Sequence, residues 1–254
     1  MPERESEPEP DPYLHHPGLR GRILDAEASY FRSFRPADLD PQLAALGFPP
    51  DWRRSDETVE AMRRSFLAGR LDSDLWVFAY GSLMWDPGFR FAEVRRAHVP
   101  GHARRFIVED TLARGTRELP GAQAALDRGE GCDGLAFRIA AADVDAETGF
   151  LWRRELFAPA YLPAFLAAET GPGPLEVLAM VADHDARMIR PDLTRAEQVR
   201  YLATGAGVLG TSLAYIENLA AQFAALRIDD PEVTSLLTEA RAYAAGTPPA
   251  RVND

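Results

Sequence analysis

From Leu75 onward the chain offers short strand candidates in quick succession, over 75–80, 93–99, 104–109, 134–139 and 175–182. Gly- and Pro-containing turns such as VPGH and LPGA separate them. A helical stretch around 143–155 lies between the fourth and the fifth, and the last third of the chain is helical. There TRAE at 194–197 reads as a capping box, and Asp230-Pro231-Glu232 supplies a cap, a proline at the first helical position and an acidic first turn. Strands first and helices last point to an α+β fold rather than a doubly wound sheet.

The segment before Leu75 differs in texture. Residues 1–20, MPERESEPEPDPYLHHPGLR, are rich in Pro and Glu and nearly devoid of large apolar side chains. Such a segment buries too little surface to offset the entropy of ordering it, so a disordered tail is expected, with His15 and His16 solvated in it. Residues 21–72 read as a helical extension packed on the core. Within SDETVEAMRRSFLAG, Ser55 is a cap, Asp56 and Glu57 fill the first turn, and Gly69 is a stop. Val59, Met62 and Phe66 fall on one face of that helix. The main domain is expected to occupy 73–246.

Composition narrows the function. A net charge of −11, with arginines scattered among acids, argues against a nucleic-acid partner. The single cysteine, Cys132, excludes an intrachain disulfide framework and a CxxC site. With no apolar run near 18 residues and no signal-peptide pattern, no membrane partner is expected, and the localisation expected is cytoplasmic. The chain is expected to act as a monomer on a small molecule.

Four motifs bear on chemistry. Gly205-Ala-Gly207-Val-Leu-Gly210 matches GxGxxG, but it follows a helix and lacks the opening strand of a dinucleotide site, so it reads as a helix-to-helix linker. In ADHDAR, Asp183 and Asp185 share a face that His184 does not, and neither His98 nor His102 has a partner at ligand spacing; no metal site is expected. WVFAYGSLMWDPG stops an apolar strand at Tyr80, Gly81 and Ser82 and resumes at Leu83, Met84 and Trp85. A loop this bare either brings backbone N–H groups to a ligand oxygen or is an ordinary tight turn. Lastly, LWRRELFAPAYLP sets Glu155 among Leu151, Trp152, Leu156 and Phe157. There it is either a carboxyl with a raised pKa, suited to acid/base work, or a surface partner of Arg153 or Arg154.

These blocks together resemble the ChaC-type γ-glutamylcyclotransferases. WVFAYGSLMWDPG is similar to that family's VFGYGSLxWxPG loop, and ARRFIVED with ARGTRELPG to its RRF and RGT…PG segments. GLAFRI resembles its GVAYRI strand, LWRREL with YLP its LWxREM…YLP stretch, and GVLGTSLAYIENL its GPxGTNxxYLxxL helix. The five blocks run in order over about 75–242. Three positions depart: Ala79 for glycine, Ala122-Gln123 for an arginine, and GVLGTS for GPxGTN.

The resemblance implies a small closed or half-open mixed β-barrel with flanking helices, and Glu155 as the catalytic acid/base. It implies substrate binding by Tyr80, Gly81, Ser82, Leu83 and Met84, with Tyr161 and Tyr215. It implies cleavage of glutathione to 5-oxoproline and Cys-Gly with no cofactor and no metal. The alternatives are another γ-glutamyl amide as substrate, or a non-catalytic γ-glutamyl binding protein of the same fold.

Overall fold

The computed structural model describes residues 11–246. Five strands close a mixed barrel in the order β1-β3-β2-β4-β5: β1 (Leu75–Ala79), β2 (Glu93–Asp110), β3 (Gly121–Ile139), β4 (Tyr161–Thr170) and β5 (Gly173–Ala182). Neighbours in this order pair antiparallel, and the barrel is sealed where β1 meets β5 in parallel at Val77 and Leu178. Fully buried Phe78, Leu126, Leu135 and Phe137 belong to the core. The expected α+β barrel is the fold observed.

Helices cover the barrel. Three precede it, α1 (Tyr30–Ser33), α2 (Asp40–Ala45) and α3 (Asp56–Phe66); α4 (Val144–Glu155) divides β3 from β4. After β5 come α5 (Arg195–Thr204), α6 (Ser212–Leu226) and α7 (Pro231–Ala244), and a small hairpin of β6 (Ala206–Gly207) and β7 (Gly210–Thr211) joins α5 to α6. The Thr194 capping box and the Asp230 cap form as the sequence requires. No helix among the described residues is long and apolar enough to cross a membrane.

Several expectations change. Candidates 93–99 and 104–109 are one strand, because VPGH is a bulge within β2, with Gly101 at φ 73°, rather than a turn. β4 escapes a reading by propensity: Ala-rich and carrying Pro163, it is held by a ten-residue register with β5, while it meets β2 only at Ala97 and His98. Pro163 therefore lies where β4 has no second neighbour and its missing N–H costs nothing.

The tail needs a larger correction. Residues 1–10 lie outside the described residues, but 11–20 are ordered against the barrel. Leu19 is 1% exposed, Tyr13 meets Phe91 edge-to-face at 5.8 Å, and the Val94 N–H donates to the Pro12 carbonyl. His16 is not solvated: its Nε2 accepts from the Arg96 N–H at 2.7 Å, and burial pulls its pKa down.

The helical extension packs as its apolar face requires. Val59 is buried, Phe66 stacks on Phe165 at 5.0 Å, and Arg63 reaches α4 at Thr148 and Asp145. At the far end of α4, the Arg54 guanidinium donates to the carbonyls of Leu156 and Ala158, each at 3.0 Å. Those carbonyls follow the last residue of α4, where a helix leaves its acceptors without internal partners. The extension thus fixes the end of the helix that carries Glu155.

Candidate active site

Where β1 ends, the chain turns through a single 3₁₀ turn, Ser82–Met84. The amides of Met84 and Trp85 donate back to the carbonyls of Gly81 and Ser82, whereas those of Gly81, Ser82 and Leu83 have no acceptor among the described residues. Three consecutive free donors at a strand end form a site for oxygen atoms. Met84 offers neither a free amide nor an exposed side chain, so it supports the turn from beneath.

Gly81 is required by a close approach, not by its φ of −132°. A Cβ there would lie 2.8 Å from the Tyr215 hydroxyl. The space that a bare loop leaves open is thus filled from α6. Tyr215 is 2% exposed, and its oxygen accepts from the Ala124 N–H at 3.2 Å, leaving its own proton available. Tyr161 donates to the carbonyl of the same residue at 3.2 Å, and Tyr80 donates to the Met180 carbonyl at 2.7 Å. Burial raises the pKa of all three, that of Tyr215 to about 12, so they stay protonated at neutral pH and none is a base there.

The carboxyl that the sequence singles out comes from α4. Glu155 ends that helix with its side chain 15% exposed, and desolvation raises its pKa above the ordinary glutamate value. Arg154 partly offsets this, its Nε 2.9 Å from Glu155 Oε1. Both readings of the sequence therefore hold in part: Glu155 is mostly withdrawn from solvent, and it is paired. The Glu155 charge adds to the upward shift of Tyr80, Tyr161 and Tyr215, for each of which burial is the main cause.

The sequence offers Arg154 only as a surface partner, yet its side chain is 5% exposed and links the two halves of the candidate site. One terminal nitrogen donates to Ser82 Oγ at 2.9 Å and the other to the Asp86 carbonyl. Its guanidinium carbon lies 3.8 Å from the centre of the Phe31 ring, which comes from the extension. Loop and acid are thereby held by one rigid planar cation. Arg104, in the RRF segment, holds the loop from the other side: its Nε donates to the Tyr80 carbonyl at 2.6 Å, and a terminal nitrogen pairs with Asp230. No periodicity marks either arginine, because each acts through backbone oxygens distant in the chain.

Elsewhere the histidines do other work. His184 lies beyond β5 and meets Asp127 at 2.9 Å. Among the described residues no cluster of three His, Cys, Asp or Glu side chains is arranged to hold a metal.

A family model described as ChaC-like protein matches residues 75–243. The glutathione-specific γ-glutamylcyclotransferase of Escherichia coli (strain K12) is 31% identical over 190 residues, 74% of this chain and 82% of that protein. Glutathione-specific γ-glutamylcyclotransferase 1 of Danio rerio is 28% identical over 180 residues, covering 68% of this chain and 91% of its own. A crystal structure of a yeast γ-glutamylcyclotransferase specific to glutathione superposes with a TM-score of 0.63 at 20% identity, over 67% of this chain and 97% of that one, which shows a shared fold.

Proposed function

Because this chain belongs to the ChaC-like protein family, we propose that it is a glutathione-specific γ-glutamylcyclotransferase in which Glu155 is the acid/base and the 81–83 amides bind the γ-glutamyl group. The observation that carries the mechanism is the position of Glu155: a half-buried carboxyl with a raised pKa, joined through Arg154 to a turn with three unused N–H donors.

The reaction is internal to the substrate. The α-amine of the glutamyl group attacks its own γ-carbonyl carbon, a C–N bond forms to close the five-membered ring, and the amide C–N bond to cysteine breaks. Products are 5-oxoproline and Cys-Gly. Ring closure of this kind has a high effective molarity, so the protein has to fold the substrate and move one proton. Ionised Glu155 takes that proton from the attacking nitrogen and, as the acid, returns it to the leaving nitrogen. Burial favours the first step by making the carboxylate more basic. The free amides of Gly81, Ser82 and Leu83 receive glutamyl oxygens, the γ-carbonyl oxygen gaining most as charge develops on it. Tyr80, Tyr161 and Tyr215 wall the site, and Tyr215 keeps a hydroxyl proton to donate.

The enzyme acts as a cytoplasmic monomer on this small molecule, with neither nucleic acid nor membrane as partner. Incubation with millimolar glutathione should yield equal amounts of 5-oxoproline and Cys-Gly by chromatography. No 5-oxoproline above the protein-free control would refute the activity.

A further inference from the structure

The loop from β2 to β3 carries a cation that the mechanism above leaves unused. Arg114 is half-buried, and its guanidinium has no carboxylate or hydrogen-bond partner among the described residues. Burial pulls its pKa down, and Tyr215 and Asp110 offset that only in part. Its nitrogens still reach solvent, so the half-buried cation stands open to an anionic ligand rather than being committed to a carboxylate of the protein.

The scaffold beneath it is unusually complete. The Asp110 carboxylate accepts from the backbone amides of Leu112, Ala113 and Arg114 at 2.7–2.8 Å, and also from Gln123 Nε2. Ser212 Oγ, at the start of α6, donates to the Arg114 carbonyl at 3.1 Å and accepts from the Ala122 N–H. The amides of Val208 and Leu209 donate to the carbonyls of Leu112 and Ala113. Gly205 and Gly207 lie so close to this loop that a Cβ on either would overlap its backbone. So many bonds fix the backbone of Arg114 while its charge is left free.

That charge faces the site. The Arg114 guanidinium carbon is 5.9 Å from the Tyr215 ring centre, and a Cβ on Gly210 would lie 3.2 Å from its Nη1. The hydroxyl of the same tyrosine abuts Gly81, so Arg114 and the 81–83 turn meet on opposite sides of Tyr215. We infer that Arg114 binds a carboxylate of the γ-glutamyl substrate, across the Tyr215 ring from the 81–83 amides. A planar fork with two parallel donors matches a carboxylate in geometry as well as charge. The inference rests on the reaction proposed above and adds to it the group that reads the anionic end of the substrate. Glutathione has two such ends, the glutamyl α-carboxylate and the glycine carboxylate.

Kinetics of R114Q and R114K separate the possibilities, with glutathione and its glycine amide as substrates, alongside melting curves. R114Q should lose about 10- to 100-fold in kcat/KM on glutathione, mostly through KM, with an unchanged melt. R114K should recover part of the loss. An equal loss on the amide assigns the contact to the α-carboxylate, and calorimetry with 5-oxoproline, which keeps that group, should then show weakened binding to R114Q. A loss confined to glutathione assigns it to glycine. Wild-type turnover with R114Q within about twofold of it would overturn the inference and leave the reaction standing. Collapse of the melt in both variants would make Arg114 structural and overturn it too. Absence of wild-type turnover would be a failure of the reaction itself.

Discussion

Replacing Glu155 by glutamine separates proton transfer from packing. The amide is nearly isosteric with the carboxylate, so contacts around Leu151, Trp152 and Leu156 are kept, and its oxygen can stay beside Arg154 Nε. Arg154 in turn keeps its bonds to Ser82 Oγ and the Asp86 carbonyl, so the loop stays held. What disappears is the exchangeable proton. General acid/base catalysis contributes ~10²–10⁴-fold, or about 2.7–5.4 kcal/mol of barrier, and a group serving both proton transfers belongs near the upper end. Stability should move the other way. Burial holds the Glu155 pKa above 4.5 in the folded protein, so folding favours the protonated form. The stability this contributes is complete below the unfolded value and is lost as pH rises through the folded one. At neutral pH the wild type carries a desolvated charge that E155Q lacks. E155Q should therefore melt at or above the wild-type temperature at pH 7, and the difference should shrink on acidification through that window. Turnover by 5-oxoproline release and melting curves at several pH values measure both. If the pair with Arg154 were the whole of its role, the variant would lose stability, because the mostly buried guanidinium would keep no carboxylate partner, and it would remain active. Turnover within about threefold of wild type would refute the assignment.

Three further substitutions test the surroundings. G81A forces a Cβ to 2.8 Å from the Tyr215 hydroxyl and should cost about 1–3 kcal/mol together with most of the turnover; the melt of G81A/Y215F, which removes that oxygen, should recover, and no recovery would show that the strain lies elsewhere. R54M removes two charge-assisted bonds to the carbonyls following Glu155 and should cost about 1.5–3 kcal/mol while lowering kcat; a lower melt with unchanged kcat would make the extension a buttress only. L19A should destabilise the protein by about 2–5 kcal/mol, read from denaturant curves, whereas an unchanged midpoint would mean that residues 11–20 contribute nothing to folding.

Much of this was open to a reader of the sequence because strands, caps and the bare loop are local signals. The Ser55, Thr194 and Asp230 caps bond within three residues of themselves, and each forms where its sequence stands. Averages over a window misjudge what single distant contacts decide. Residues 11–20 are polar in sum, but Leu19 and Tyr13 suffice to dock them once the barrel presents Phe91. β4 is unpromising alone and stable in register with β5. The same limit hid the arginines: Arg104, Arg114 and Arg154 look alike in the chain, and only the partners brought by folding distinguish a loop clamp, an unpaired cation and a bridge to Glu155.

GxGxxG shows the limit most sharply. Its glycines do serve close backbone approach, as they would around a phosphate, but what approaches is the protein's own loop at 112–114. Glycine spacing reports that two backbones must meet and is silent on which two. Here the meeting fixes the loop of Arg114 and starts the helix of Tyr215, so a motif whose glycines meet the protein's own backbone still builds one wall of the candidate site.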